Sequence, residues 1–183
     1  GIVLTPMSFN SVKSVLFGFH GSDRYLLTED DVLKAFLEYV IHRYCPPAFF
    51  TYQIIYIAGA GQVTDLMRRN RSLKFFGPEE HVIAVLDGDQ QRSDLPRGTI
   101  CIPLLNVEKA LWDAYRLTGF EHAFEDGDKL PPKQLHRQIQ RRGGLSAEEI
   151  HRLLCDLHDD AMRDFAGHLT RFLSRPEVNA SLS

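Results

Sequence analysis

The chain is poor in cysteine, with only Cys45, Cys101 and Cys155 among 183 residues. None of them has CxxC spacing, so neither a disulfide framework nor a zinc site is indicated, and the three read as reduced core residues. No apolar run approaches the ~20 residues a bilayer span requires, and the opening GIVLTPMSFNSV lacks the basic region and long apolar stretch of a secretory signal. The expectation is a soluble, cytoplasmic protein with no membrane partner. Positive charge is not in excess either. A net charge of −3 excludes a protein that coats nucleic acid with a uniformly basic surface. Two local basic runs remain, Arg68, Arg69, Arg71 and Lys74, and His136, Arg137, Arg141 and Arg142; runs of this kind ordinarily read as solvated helix faces. There is no GxxxxGK[ST] phosphate loop and no HExxH. His151, His158 and His168 lie among charges and read as solvated.

What is present is an alternation. Residues 25–28 read as a strand, and EDDVLKAFLEYVIHRY follows with Val32, Leu33, Phe36, Leu37, Val40, Ile41 and Tyr44 at helical spacing. Cys45, Pro46 and Pro47 end that helix, because proline lacks an amide donor and restricts the residue before it. A second strand over 52–58 leads into GAGQVTDLMRRN, a glycine turn followed by a helix that buries Val63, Leu66 and Met67. Residues 82–86 form a third strand, and 99–104 a fourth, which runs into a helix capped by Asn106 with Leu111, Trp112 and Tyr115 inward. Alternating strands and helices predict an α/β fold with a mostly parallel sheet. Residues 121–145 are polar. Ser146 with Glu149 then makes a capping box for one long helix, whose buried face is Ile150, Leu153, Leu154, Leu157, Ala161, Phe165, Leu169 and Phe172. The expected organisation is an amino-terminal segment over 1–21, an edge element or linker, a core over 22–120 and a helical extension over 121–183.

Chemistry concentrates at the strand ends. VIAVLDGDQQ leaves the third strand through Asp87 and Asp89, where ligands of α/β sheets gather; the same residues also suit a plain surface turn. In a parallel sheet, Glu29, Asp30 and Asp31 follow the first strand, and Glu108 opens the helix after the fourth. Clustered carboxylates repel unless a cation neutralises them, and hard oxygen donors suit magnesium or manganese. Two such ions activate water and stabilise the leaving oxygen of a phosphodiester. Lys109, beside Glu108, is a candidate phosphate contact.

The order LLTED, IAGAG, VLDGDQQ and IPLLNVEKAL across residues 22–118 resembles a TOPRIM domain, in particular that attached to the ATPases of the overcoming lysogenization defect (OLD) family of nucleases. The resemblance implies a Rossmann-like sheet in which Glu29, Asp87 and Asp89 bind the catalytic metals, with Glu108 assisting. The commoner family pattern follows its glutamate with glycine and places an aspartate four residues later. This chain has Asp30 and Leu33 at those positions, so Asp30 or Asp31 substitutes. The family's lysine near the carboxyl end has Lys129 and Lys133 as candidates.

The resemblance therefore implies a metal-dependent endonuclease domain that hydrolyses DNA, with RNA as a further substrate class, by a two-metal mechanism with magnesium or manganese. Metal ligands are Glu29, Asp30, Asp31, Asp87 and Asp89, and catalytic residues Glu29, Asp87, Asp89, Glu108 and Lys109. It also implies an ABC-type ATPase as partner, in the same chain or as another subunit, a homodimer, and a role in anti-phage defence. The chain is then expected to be a fragment of a longer protein or a stand-alone TOPRIM protein. Two other readings stand beside it: a catalytically silent TOPRIM-like interaction module, and a Rossmann-like nucleotide-binding domain built on the glycine turn, in which the third glycine of GxGxxG is replaced by Thr64.

Overall fold

The computed structural model describes residues 22–47, 50–117 and 129–175. The amino-terminal segment 1–21, read above as an edge element or linker, lies outside them, as do residues 118–128. Four strands, β1 (Arg24–Thr28), β2 (Tyr52–Tyr56), β3 (Val82–Leu86) and β4 (Thr99–Cys101), form one sheet in the order β2-β1-β3-β4, with every pair parallel. The fold is α/β, as the alternation predicts. The second and fourth strands are shorter than their apolar runs.

The central strands are apolar on both faces, as a doubly covered parallel sheet requires. The strand period of two divides them. Tyr25 and Leu27 of β1 and Val82, Ala84 and Leu86 of β3 share one face with Val63, Met67 and Phe76. Val63 and Met67 belong to α2 (Ala60–Leu73), the helix that covers that side among the described residues. Leu26 and Val85 point the other way, into a larger cluster built with α1 (Asp31–Tyr44), α3 (Val107–Leu117), α4 (Pro132–Gly143), α5 (Ala147–Leu157) and α6 (Asp159–Leu173). The carboxyl-terminal helices thus share a core with the sheet.

Local signals set the helix ends. Asp30 caps α1, its Oδ1 accepting from Leu33 N at 2.9 Å, and Cys45 before the two prolines is extended. α2 starts at Gly59, whose φ of 94° disfavours a side chain. The α2 C-terminus is closed by buried Asn70, which accepts from Phe76 N at 2.8 Å and donates to Gly77 O at 3.3 Å. α4 begins on Pro131 and Pro132, with Leu135 and Ile139 as its buried stripe. It lies within the polar stretch 121–145 of the expected helical extension, where two inward positions among charges and glutamines give too weak a period to place a helix.

The long helix expected after Ser146 is two. The capping box of Ser146 and Glu149 forms, but the chain breaks at His158 (φ −125°, ψ 32°), which ends α5 and starts α6. Around the break the buried face differs from the expected one, while Phe165 and Leu169 are buried as expected. Leu157 is 50% exposed and Ala161 is exposed, while Met162, Phe165 and Leu169 are buried. Asp159 and Asp160 suit the positive end of α6, and Asp159 accepts from Tyr44 Oη at 2.8 Å. The end of α6 is tied to the sheet, since Leu173 O accepts from Phe50 N at 2.9 Å and Phe172 O from Arg24 Nε at 3.2 Å.

His151 is not solvated as the sequence suggests. It is 6% exposed on α5, with its ring 5.6 Å from those of Phe36 and Tyr39. Burial, and then the neighbouring His136, lowers its pKa from 6.5 to about 4. The unfolded chain binds a proton here between those values and the folded chain does not, so stability is full above pH 6.5 and is lost as pH falls towards 4. The loss is on the order of 2–3 kcal/mol. Denaturant melts of wild type and His151→Phe between pH 7 and 4 should show this slope reduced in the variant; equal slopes would place the acid sensitivity elsewhere.

Candidate active site

The site forms where β1 and β3 end side by side. Strand order reverses direction between these two, which makes their carboxyl ends the switch point at which α/β sheets open a crevice. Register sets Leu27 against Ala84, so the residues just past the strands, Glu29 and Asp87, come together. The Asp87 N–H donates to Glu29 Oε1 at 3.1 Å. Around them lies a cavity of about 760 Å³ lined by Glu29, Asp30, Asp31, Asp87 and Glu108, together with Asn106, Lys133 and the Tyr56–Gly59 turn.

The turn that carries Asp87 and Asp89 is pinned from below. Gly88 N donates to Leu104 O at 2.9 Å and Asp89 N to Leu105 O at 3.0 Å. A Cβ on Gly88 would stand 2.2 Å from Leu104 O and 2.9 Å from Ile102 O. Glycine here is required by close backbone approach, not by a left-handed conformation. Asp89 is exposed at the rim and does not line the cavity; its Oδ2 accepts from Asn106 Nδ2 at 3.3 Å. Asn106 also caps α3, accepting from Lys109 N at 2.7 Å.

Burial among like charges raises the pKa values of Asp87, Glu29 and Glu108. For Asp87, burial leads, followed by the charges of Glu29, Glu108, Asp30 and Asp89, and the value rises from 3.8 to about 8. Glu29 is raised chiefly by burial, against the stabilising hydrogen bond from Asp87 N–H. Glu108, 6% exposed, is likewise raised by burial first, with Lys133 opposing. Asp87 Oδ1 is buried with no hydrogen-bond partner among the described residues.

Lys109 and Lys133 are placed apart. Lys109 does not face the acids: its ammonium pairs with Asp113 at 3.0 Å, and it lines a separate depression with Leu105 and Leu117. Successive helix residues point about 100° apart, so Glu108 and Lys109 do not share a face. The cation at the cluster is Lys133, at the start of α4, whose Nζ lies 3.1 Å from Asp30 Oδ2. Asp30 is thus both helix cap and ion-pair partner, whereas Asp31 lines the cavity and is exposed. Sequence reading carried Lys133 only as an unplaced alternative to Lys129, since no spacing links it to residue 30.

The donors suit a hard divalent cation, being oxygens alone and including the orphaned Asp87 Oδ1. Among the described residues, no group of three or more His, Cys, Asp and Glu side chains stands in a metal-holding arrangement. Holding a cation here would require these side chains to rotate. Among the described residues, no helix is long and apolar enough to cross a membrane. Compared with family models, curated proteins and solved structures, the chain has no match.

Gly88→Ala should cost about 2–3 kcal/mol, because the obstructing atoms are backbone carbonyls that cannot rotate away; a thermal melt equal to wild type would remove the steric role. Asp87 also imposes a pH dependence on the metal-free chain. Its folded value of about 8 exceeds the unfolded 3.8, so the folded state binds the extra proton and stability falls as pH rises from 4 to 8. With allowance for solvent screening, the fall is about 2 kcal/mol. Asp87→Asn should flatten it in denaturant melts with EDTA, and an unchanged slope would show that Asp87 does not titrate in this range.

Proposed function

We propose that the chain is a metal-dependent nuclease domain hydrolysing phosphodiester bonds of DNA. The observation that carries this reading is the convergence of Glu29, Asp30, Asp31, Asp87 and Glu108 on one cavity at the switch point, with Asp87 driven to about 8 by burial and like charge. Such a cluster is costly without a cation, and perturbed carboxyls of this kind gather at functional sites. Glu29, Asp87 and Asp89 would hold magnesium or manganese, with Asp31 and Glu108 as further oxygen donors. When bound, the ions supply Lewis-acid polarisation of the phosphate and activation of the attacking water.

The chain's own residues prepare this. The Asp87 N–H orients Glu29, Asn106 restrains Asp89, and Lys133 balances Asp30. Asp87 keeps its proton until a cation replaces it, and at pH 7 binding would release about one proton. Attachment to an ABC-type ATPase, a homodimeric assembly, a cytoplasmic setting and a role in anti-phage defence rest on the resemblance to OLD-family nucleases alone. The lack of a preassembled metal group among the described residues favours the competing reading, a catalytically silent TOPRIM-like interaction module. The nucleotide-binding reading leaves the five acids without a role.

Calorimetric titration of manganese and magnesium separates the first two. Wild type should bind with proton uptake by the buffer, and Asp87→Ala with Asp89→Ala should not bind. Plasmid nicking should depend on the metal and drop at least about 100-fold in Asp87→Ala or Glu29→Ala, with thermal stability retained. Wild type without metal binding at millimolar concentration would favour the silent module, and normal cleavage by either variant would end the assignment.

A further inference from the structure

The two basic runs of the sequence have different fates. On α2, Arg69 pairs with Asp65 at 3.7 Å and Arg71 with Glu79 at 3.0 Å, so two of the four cations of that run are neutralised internally. α4 is different. It carries Lys133, Arg137, Arg141 and Arg142 and contains no acidic residue, within a chain of net charge −3. Leu135 and Ile139 face the core, and on a 3.6-residue turn Lys133, Arg137 and Arg141 fall on the opposite face. All three are exposed. Lys133 reaches Asp30, while Arg137 and Arg141 have no ion-pair partner among the described residues. The stripe starts at the cavity wall, which Pro131, Pro132 and Lys133 help to form, and runs about 12 Å along the helix.

We propose that the Lys133, Arg137 and Arg141 face of α4 is the track on which a nucleic-acid backbone lies as it enters the acidic cavity. Charge complementarity selects the occupant. Unpaired guanidinium groups on one exposed line match a polyphosphate strand, and about 12 Å covers three to four phosphates of one strand at ~3.4 Å each. The track also meets an electrostatic need. A cavity lined by acids repels a polyanion, so a substrate backbone requires a cationic approach next to it. The proposal rests on the nuclease reading only for the strand's destination.

The test is binding of a short fluorescent oligonucleotide to the full chain in EDTA, so that cleavage plays no part. Duplex DNA, single-stranded DNA and RNA of one sequence are compared over a salt series. Arg137→Ala with Arg141→Ala should weaken binding about tenfold or more at low salt and reduce the salt slope by about 1.8 for duplex. A control with Arg68→Ala, Arg69→Ala and Arg71→Ala should leave the slope near wild type. Which substrate shows the largest slope change identifies the nucleic-acid class. Unchanged affinity and slope in the α4 variant would overturn the track even if wild type nicks plasmid. No binding by wild type, or equal displacement by polyglutamate, would overturn it as well. Slope loss in the α4 variant without cleavage under any metal would keep the track and remove the nuclease reading.

Discussion

The parallel pairing of β1 with β3 is the constraint on which the site depends. Both strands are buried on both faces, so their register is set by apolar packing above and below the sheet and not by their polar ends. That register leaves Glu29 within one residue of the level of Asp87, and the Asp87 amide donates to the Glu29 carboxylate. Two acids held together by a core that tolerates no slippage cannot relieve their repulsion by moving apart. Burial first, and then the neighbouring charge of Glu29, favours the protonated form, and Asp87 is pushed to about 8.

The rest of the site is arranged around that tension. The Gly88 turn is held against the Leu104 and Leu105 carbonyls with no room for a side chain. Asn106 joins the α3 cap to Asp89. The Lys133–Asp30 pair is exposed enough to contribute little to stability, its Lys133 side chain being 58% accessible, but it places one positive charge where several negative ones meet. Under the nuclease reading these features divide the labour: buried carboxylates for the cation, a restrained rim aspartate, and a basic helix whose first turn touches the cavity.

The carboxyl-terminal helices matter to the site through α4. Its apolar residues, Leu135 and Ile139, join the same cluster as Leu26, Phe36 and Trp112. That packing fixes the rotation of α4, and with it the direction of Lys133, Arg137 and Arg141. The break at His158 serves the same core, because it lets α5 and α6 each present an apolar face to α1.

Much of this was local and therefore legible in the residues themselves. Strand positions follow from apolar runs, the ends of α1 and the start of α5 from Asp30, the prolines and Ser146, and the placing of acids after β1 and β3 from chain direction alone. The placing of Lys133 beside Asp30, the burial of His151, the helix break at His158 and the raised Asp87 were decided by tertiary structure. Each depends on which faces of separate elements meet, and a helix's rotation or a strand's neighbour is set by packing between residues far apart in the chain, which local propensity does not encode.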